Sequence, residues 1–286
     1  MTRELVERYW RATAPPDEPT LRRLRHPGWT MEWPQSGERI VGHQNAMAIM
    51  EAYPGFPDQE IRSVQGTPDR WTVSPMMIPV RISGGGNAWF VETALEYPEQ
   101  GSWQGVAITE LREGLVWRDI MYFVEPFEAP EWRGEITERA PDRASEPSLA
   151  EGDGNEEARR ATLARYAEHV AGGDLPSAAR ELFHEDAVED IPQSGERIRG
   201  MENQLAMIEH HPTRPTGGVR RIFAAGNQFA WETDLDYEGE RWLEVVLATF
   251  RGDKVTHAIA YFAQPFEAPE WRARWVERMD LSGFGA

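Results

Sequence analysis

The sequence has 286 residues, of which 40% are apolar, so it is long enough for two domains that each have a hydrophobic core. It contains no cysteine, which excludes disulfides, thiolate metal sites and a thiol nucleophile. Its formal net charge of −18 opposes binding to the phosphates of nucleic acid, so we expect no nucleic-acid partner and attribute the acidity to solubility.

The amino-terminal segment, residues 1–14, is charged and lacks the apolar stretch of a signal peptide. No apolar run approaches the length that crosses a membrane. We therefore expect a cytoplasmic protein with no membrane partner.

The strongest pattern in the chain is an internal repeat. Residues 122–133 return as residues 261–272, and ten of the twelve positions are identical. Residues 34–40 return 158 positions later as residues 192–198. A period this long predicts two tandem domains rather than a solenoid of short repeats.

The spacing of the repeat changes along the chain. Residues 92–97 return as residues 232–237, only 140 positions later, so the first copy holds about 18 additional residues between Pro57 and Asn87. This insertion includes Trp71 and is expected to lengthen the sheet or its rim.

A segment of linker composition separates the copies. Residues 134–157 are acidic, contain Pro, Ser and Gly, and have few apolar positions. The predicted domains are therefore residues 1–133 and residues 158–286.

Helices come first in each copy. In the first copy, apolar residues at i, i+3, i+4 and i+7 predict a helix; they are Ala46, Ile49, Met50 and Tyr53. In the second copy the same spacing occurs twice before an extended segment at residues 187–192, and a third helix follows from Met201.

Strands follow the helices. Side chains alternate over residues 91–97, and apolar runs follow at residues 106–111 and 116–123. Each copy is therefore predicted to be α+β, with three helices packed in a strongly bent antiparallel sheet.

Several segments of the second copy carry a family resemblance. They are residues 165–166 in the first helix, 171–175 at its end, 182–188 after the second helix and 195–200 before the third. In this order they resemble the nuclear transport factor 2-like superfamily, which includes SnoaL-like polyketide cyclases, ketosteroid isomerases and limonene-type epoxide hydrolases. The resemblance extends over both copies.

The resemblance implies two tandem cone-shaped domains. In each, the sheet wraps around the helices and encloses an apolar pocket. Such folds commonly pair through their sheets, so it also implies a pseudo-dimer within the chain, and a further homodimer is left open. The fused pair resembles, in architecture, the tandem epoxide-opening cyclases of polyether biosynthesis.

The resemblance also points to catalytic positions. Ketosteroid isomerases carry on the first helix a tyrosine that hydrogen-bonds an oxyanion, and Tyr9 and Tyr166 look like its counterparts. Their base is an aspartate just before a proline. Here Glu32 and Asp190 stand one residue further from the proline, and this shift turns a strand side chain to the other face unless a bulge intervenes.

Asp119 is the main candidate proton shuttle. It shares a face of the last strand with Trp117, Met121 and Phe123, and the resemblance directs this face into the cone. A carboxylate among such side chains is poorly solvated, which suits a general acid or base. The alternative is an aspartate paired with an arginine in the core. Its counterpart in the second copy is Ala258.

The predicted substrate contacts are mostly aromatic or sulfur-containing side chains of the first copy. They are Trp33, Met50, Tyr53, Trp103, Trp117 and Met121. In the second copy Glu244 and Asp190 form a weaker acid–base pair, with salt-bridged structural carboxylates as the alternative. His210 and His211 are adjacent on a helix and point about 100° apart, so we expect no metal site.

The repeated tail has a structural interpretation. Pro130 and Pro269 suit the first turn of a short helix, so Trp132 and Trp271 are predicted to fold back and close the open end of their own domain.

Taken together, these features predict an enzyme that needs no cofactor. It acts on a small hydrophobic ligand, polyketide- or terpenoid-like, by acid–base isomerisation, cyclisation or epoxide opening. One alternative is a non-catalytic small-molecule binding protein of the same fold. Another is a scaffold whose cones are filled by side chains.

Overall fold

The structure, a computed structural model, describes seven ranges of the chain. The described ranges are residues 2–14, 16–53, 61–64, 67–72, 78–97, 101–141 and 150–279. The chain forms two compact units. Unit 1 takes in Met1–Glu125 and Pro265–Leu281, and unit 2 takes in Pro126–Asp142 and Ala150–Gln264.

The elements are numbered in chain order. The helices are α1 (Thr2–Arg11), α2 (Glu18–Leu24), α3 (His43–Glu51), α4 (Glu156–Ala171), α5 (Leu175–Leu182) and α6 (Gly200–His210). The strands are β1 (Arg25–Trp33), β2 (Glu38–Val41), β3 (Ile61–Val64), β4 (Thr67–Thr72), β5 (Ile78–Gly85), β6 (Ala88–Tyr97), β7 (Gly101–Arg112), β8 (Leu115–Val124), β9 (Thr137–Arg139), β10 (Phe183–Ile191), β11 (Glu196–Arg199), β12 (Thr216–Ala225), β13 (Gln228–Tyr237), β14 (Glu240–Arg251), β15 (Lys254–Ala263) and β16 (Val276–Arg278).

Local chemistry accounts for the short helices. Asp17 and Asp174 cap α2 and α5 by accepting backbone hydrogen bonds from Thr20 and Ser177. Each of these two helices also has a proline in its first turn. The chain is therefore directed from the end of each helix straight into the first strand of its copy.

Each unit has one seven-stranded sheet. The strand order is β16-β2-β1-β8-β7-β6-β5 in unit 1 and β12-β13-β14-β15-β10-β11-β9 in unit 2. This confirms the predicted α+β class. The sheets are mixed rather than antiparallel throughout, because β1 runs parallel to β8 and β10 runs parallel to β15. β2 pairs antiparallel with β1, and α3 follows β2 in the chain. β8 lies on the other side of β1 and runs in the same direction as β1.

The two tails exchange partners, which corrects the predicted clamp. The tail after the second copy carries β16, which pairs with β2 in unit 1. The tail after the first copy carries β9, which pairs with β11 in unit 2. Each tail thus completes the sheet that contains the other copy. Local sequence could not distinguish these arrangements, because the tails and the sheet edges they meet are nearly identical in sequence.

Other predictions meet the structure only in part. The predicted linker, residues 134–157, includes β9. The insertion of the first copy contains the hairpin β3–β4, with Trp71 in its second strand. Met76 and Met77 lie outside the described residues. Within the described ranges, no helix is long and apolar enough to cross a membrane.

Candidate active site

Unit 1 encloses a cavity of about 370 Å³. Its wall is mainly apolar and aromatic, and the predicted contacts that line it are Tyr9, Trp33, Met50, Tyr53, Trp103 and Met121. The exchanged tail contributes Phe266 and Arg272. Trp271 of that tail packs edge-on against Tyr53, with the ring centroids 5.7 Å apart.

Asp119 lies behind the wall of this cavity. Its side chain is fully buried and accepts hydrogen bonds from Tyr9 (2.5 Å) and Trp29 (2.9 Å) on Oδ2, and from Thr109 (2.7 Å) on Oδ1. The Thr109 hydroxyl accepts in turn from the Trp10 indole at 3.1 Å. Three neutral donors therefore surround the carboxylate, and it is not among the residues that line the cavity.

Burial and hydrogen bonding act in opposite directions on this network. Burial raises the pKa of Asp119, and the hydrogen bonds from Tyr9, Thr109 and Trp29 lower it part of the way back. Burial also raises the pKa of Tyr9 far above its ordinary value, so the phenol stays protonated. The alternative, in which Asp119 pairs with a core arginine, is not seen among the described residues, because Arg25 donates to the Tyr9 hydroxyl at 3.4 Å and not to Asp119.

Two predicted residues of the first copy face away from the cavity. Trp33 lines the cavity, and because neighbouring side chains on a strand point to opposite faces, Glu32 points away from it. Glu32 is buried there and forms an ion pair with Arg39 at 2.9 Å. Trp117 also does not line the cavity, which corrects the prediction that it shares the face of Asp119. A bulge between β7 and β8 leaves Trp117 as the extra residue, and Arg112 stacks 3.8 Å from its ring centroid.

Unit 2 encloses a larger cavity of about 510 Å³. Apolar side chains from its three helices form much of the wall, and Phe127 and Arg133 come from the exchanged tail. His211 lies between two rings, 5.4 Å from the centroid of Trp132 and 5.6 Å from that of Tyr237. His211 takes the place that Tyr53 has in unit 1, because it stands 158 positions later.

Two glutamates line the unit 2 cavity. Burial raises the pKa of Glu189 to about 7, from an ordinary value of 4.5. Burial also raises the pKa of Glu244 to about 7, and the negative charge of Glu189 contributes to that shift. Both side chains are surrounded by protein and keep part of their surface open to the cavity. At neutral pH one such group can hold a proton while the other is ionised.

Polar groups around the glutamates lack strong partners. Within the described part of the chain, the Trp231 indole nitrogen, the Gln204 amide nitrogen and the Thr233 hydroxyl are buried without a hydrogen bond of good geometry. All three residues line the cavity. Gln204 and Thr233 still lower the pKa values of Glu189 and Glu244 slightly. Buried polar groups whose hydrogen bonds have poor geometry are available to a bound molecule.

Asp190 does not join this pair. Burial alone would raise its pKa, but hydrogen bonds from Arg197 (2.6 Å) and His257 (2.8 Å) hold the pKa well below its ordinary value. It is absent from the cavity wall. The prediction of a salt-bridged structural carboxylate therefore describes Asp190, whereas Tyr166 and Glu244 line the cavity as the other predicted residues of this copy.

Known structures share the sequence and fold of a single copy. A protein of unknown function from Burkholderia xenovorans, described as NTF-2 like, is 40% identical, covering 44% of this chain and 98% of its own, with a TM-score of 0.42. This chain belongs to the nuclear transport factor 2-like family. A match to about two-fifths of the chain is consistent with two copies of the family fold in tandem.

Other members of the family vary in their descriptions. A putative ketosteroid isomerase from Kribbella flavida is 27% identical, covering 44% of this chain and 93% of its own, with a TM-score of 0.39. A putative SnoaL-like polyketide cyclase from Jannaschia is 16% identical, covering 39% and 90%, with a TM-score of 0.32. No protein-family model and no curated protein matches the sequence.

Glu189 is the site residue that the sequence analysis missed. The family position before the proline drew the prediction to Asp190, but alternation along β10 places Ile191 and Glu189 together on the cavity side. Its counterpart in the first copy is Met31, which lines the other cavity. Trp33 was the signal that could have located it. The counterpart of Trp33 is Ile191, and the residue two positions earlier on the same face of the strand is Glu189.

Both units therefore contain an open cavity, which contradicts the alternative of a scaffold filled by side chains. Within the described ranges, no group of three or more histidine, aspartate or glutamate side chains is arranged to hold a metal ion.

Proposed function

We propose that this protein is an enzyme that performs acid–base chemistry on a small hydrophobic metabolite, polyketide- or terpenoid-like, and that the reaction takes place in unit 2. The observation that carries the proposal is the presence of Glu189 and Glu244 on one apolar cavity, each with a pKa of about 7. Perturbed carboxyl groups of this kind suit proton transfer near neutral pH.

The two carboxyl groups have complementary tasks. The ionised one accepts a proton from a carbon beside a carbonyl, or from an attacking hydroxyl. The protonated one gives its proton to the oxygen that gains negative charge, so the protons balance over a turnover. Isomerisation, cyclisation and epoxide opening all fit this exchange, and none requires a cofactor.

The neighbouring donors support this assignment. The indole N–H of Trp231 and the amide of Gln204 have no good hydrogen-bond partner among the described residues and line the same cavity. Donors held in a poorly solvated site stabilise an oxyanion more strongly than water does. The Tyr166 hydroxyl, whose pKa burial raises, remains a neutral donor.

Non-catalytic binding is the second candidate, and one observation in unit 1 favours it. Asp119, the carboxyl group on the predicted face, is held by three donors and is not among the described residues that line the wall. Unit 1 is then a binding domain beside a catalytic one.

The test measures the transfer of deuterium from the solvent into a substrate. The full chain is incubated in deuterated buffer with β,γ-unsaturated cyclic ketones, and both deuterium incorporation and conjugation of the double bond are followed. A parallel series uses hydroxy-epoxides and follows ring formation. Glu189→Gln and Glu244→Gln are each expected to lower the rate by about 100- to 10,000-fold.

Glu185→Gln is the matched control, because Glu185 is an exposed glutamate on the same strand as Glu189. Its rate should equal that of the unaltered chain. Full activity in both Glu189→Gln and Glu244→Gln contradicts the assignment. If Asp119→Asn loses activity and both glutamate variants keep it, the reaction takes place in unit 1.

A further inference from the structure

Arg25 is a buried cation on the wall of the unit 1 cavity. It is the first residue of β1, its exposure is 6%, and it lines the cavity beside Tyr9 and Met31. Burying a guanidinium is costly unless an anion or several acceptors compensate for its lost hydration.

Every described partner of Arg25 is neutral. Its Nη1 lies 2.9 Å from Nδ1 of His43, and its Nε lies 3.4 Å from the Tyr9 hydroxyl. Its Cζ stacks 3.7 Å from the ring centroid of Trp29. Burial, with the charge of Arg25 second, lowers the pKa of His43, so this imidazole accepts from the guanidinium as a neutral base.

One nitrogen of the guanidinium has no hydrogen-bond acceptor among the described residues. Its Nη2 makes no hydrogen bond to any described residue, and no described carboxylate lies within ion-pair distance of it. Asp119 is linked to it only through the Tyr9 hydroxyl, and three donors already share that carboxylate. The cation thus faces an apolar cavity with unused hydrogen-bonding capacity.

The second copy keeps a tyrosine, Tyr166, in the place of Tyr9 but replaces three other members of this network. The counterparts of Arg25, Trp29 and Asp119 are Phe183, Ala187 and Ala258. Phe183 lines the unit 2 cavity, and Glu189 and Glu244 place carboxyl groups on its wall, whereas no carboxyl group of the described residues lines the unit 1 cavity. The charged groups of the two walls therefore differ, and one ligand does not suit both.

We propose that the unit 1 cavity binds a small apolar monocarboxylate, with its carboxylate on Arg25 and its hydrophobic body among Trp33, Trp103 and Met121. A guanidinium fork matches a carboxylate in geometry and charge. The aromatic and methionine side chains around it match a ring or branched hydrocarbon. This site is separate from the reaction proposed for unit 2.

The experiment compares ligands that share one body. Naphthalene-2-carboxylate, its carboxamide and the corresponding amine are titrated into the full chain, and binding is measured by calorimetry. Methionine-methyl NMR locates the ligand, because Met31, Met50 and Met121 line this cavity. The carboxylate is expected to bind about ten- to a hundredfold more tightly than the carboxamide, with shifts of these methyl signals.

Variants at Arg25 test whether this residue causes the preference for the carboxylate over the carboxamide. Arg25→Met should remove the preference for carboxylate over carboxamide, and Arg25→Lys should retain part of it. Arg11→Met is the control, since Arg11 is exposed on α1. If Arg25→Met does not fold, the proposal is still tested by the preference of Arg25→Lys for carboxylate over carboxamide and by the methyl shifts of the unaltered chain.

Three results overturn the proposal: equal affinity for the acid and the amide, an unchanged preference in folded Arg25→Met, or acetate binding as tightly as the naphthoate. None of these results depends on turnover in unit 2, so the two proposals fail independently.

Discussion

At the scale of single residues, the two copies place their carboxyl groups on opposite members of one strand pair. In unit 1, Asp119 on β8 stands beside Met31 on β1, whereas in unit 2, Glu189 on β10 stands beside Ala258 on β15. Asp119 is held by three donors, and Glu189 meets the cavity with poor solvation and few donors. The same pair of backbone positions therefore carries a carboxyl group held by three hydrogen bonds in one copy and a carboxyl group that titrates near neutral pH in the other.

The titrating pair predicts a pH dependence of stability. Each glutamate has a folded pKa of about 7 against an ordinary value of 4.5, so the folded state binds the proton more tightly. The contribution that each protonated glutamate makes to the free energy of unfolding is therefore fully present below pH 4.5 and is lost as the pH rises through about 7, by about 3 kcal/mol for a single group.

Glu189→Gln and Glu244→Gln should each reduce this loss, because an amide cannot ionise. Urea unfolding at about pH 5 and about pH 8 measures the difference, and exposed Glu185→Gln should behave like the unaltered chain. An identical pH dependence in all four proteins contradicts the assignment of these pKa values.

At the scale of elements, the exchanged tails are fastened by buried ion pairs. Arg272 in the 3-10 helix before β16 donates to both oxygens of Glu38, which is fully buried on β2. In unit 2, Arg133 makes the equivalent bond to Glu196 at 3.2 Å. Such a pair gives little net stability over an apolar pair, but removing one partner leaves an uncompensated charge.

Arg272→Met should therefore destabilise unit 1 by roughly 3–5 kcal/mol, because Glu38 stays buried without its cation. Thermal and urea unfolding measure the effect. The double variant Arg272→Met with Glu38→Gln should recover much of the loss. Arg160→Met, which breaks an exposed pair with Glu156, should cost less than about 0.5 kcal/mol. Equal effects of the two arginine variants contradict this account.

At the scale of the whole molecule, the repeat defines two copies but not two independent chains. Each compact unit includes the tail that follows the other copy. The first copy with its own tail therefore lacks the segment that pairs with β2, although its own tail carries nearly the same residues. Residues 126–139 and 265–278 of the two tails are identical at ten of fourteen positions, and we expect the tails to be interchangeable in binding.

A fragment of residues 1–141 should therefore form a dimer by mutual exchange of tails, with Arg133 of one fragment bonded to Glu38 of the other. Light scattering on the purified fragment measures its mass. Arg133→Met should weaken the dimer in the fragment. A folded fragment that stays monomeric at all concentrations contradicts the expectation.

The sequence by itself determined the doubling of the chain, the α+β class and the family. The family resemblance pointed to Tyr9 and Trp33 as cavity residues, and strand alternation pointed to Met121, because a side chain's face on a regular strand follows from local spacing. These features depend on neighbours in sequence, so they can be read without coordinates.

Only the tertiary structure decided which charged groups meet the cavities and which tail closes which sheet. A single bulge turned Trp117 outward, and the phase of β10 exchanged Glu189 for Asp190. The contact of Arg25 with Tyr9 and His43 joins three separate elements. Such outcomes depend on packing between distant segments, and two nearly identical tails carry no local signal that separates one partner from the other.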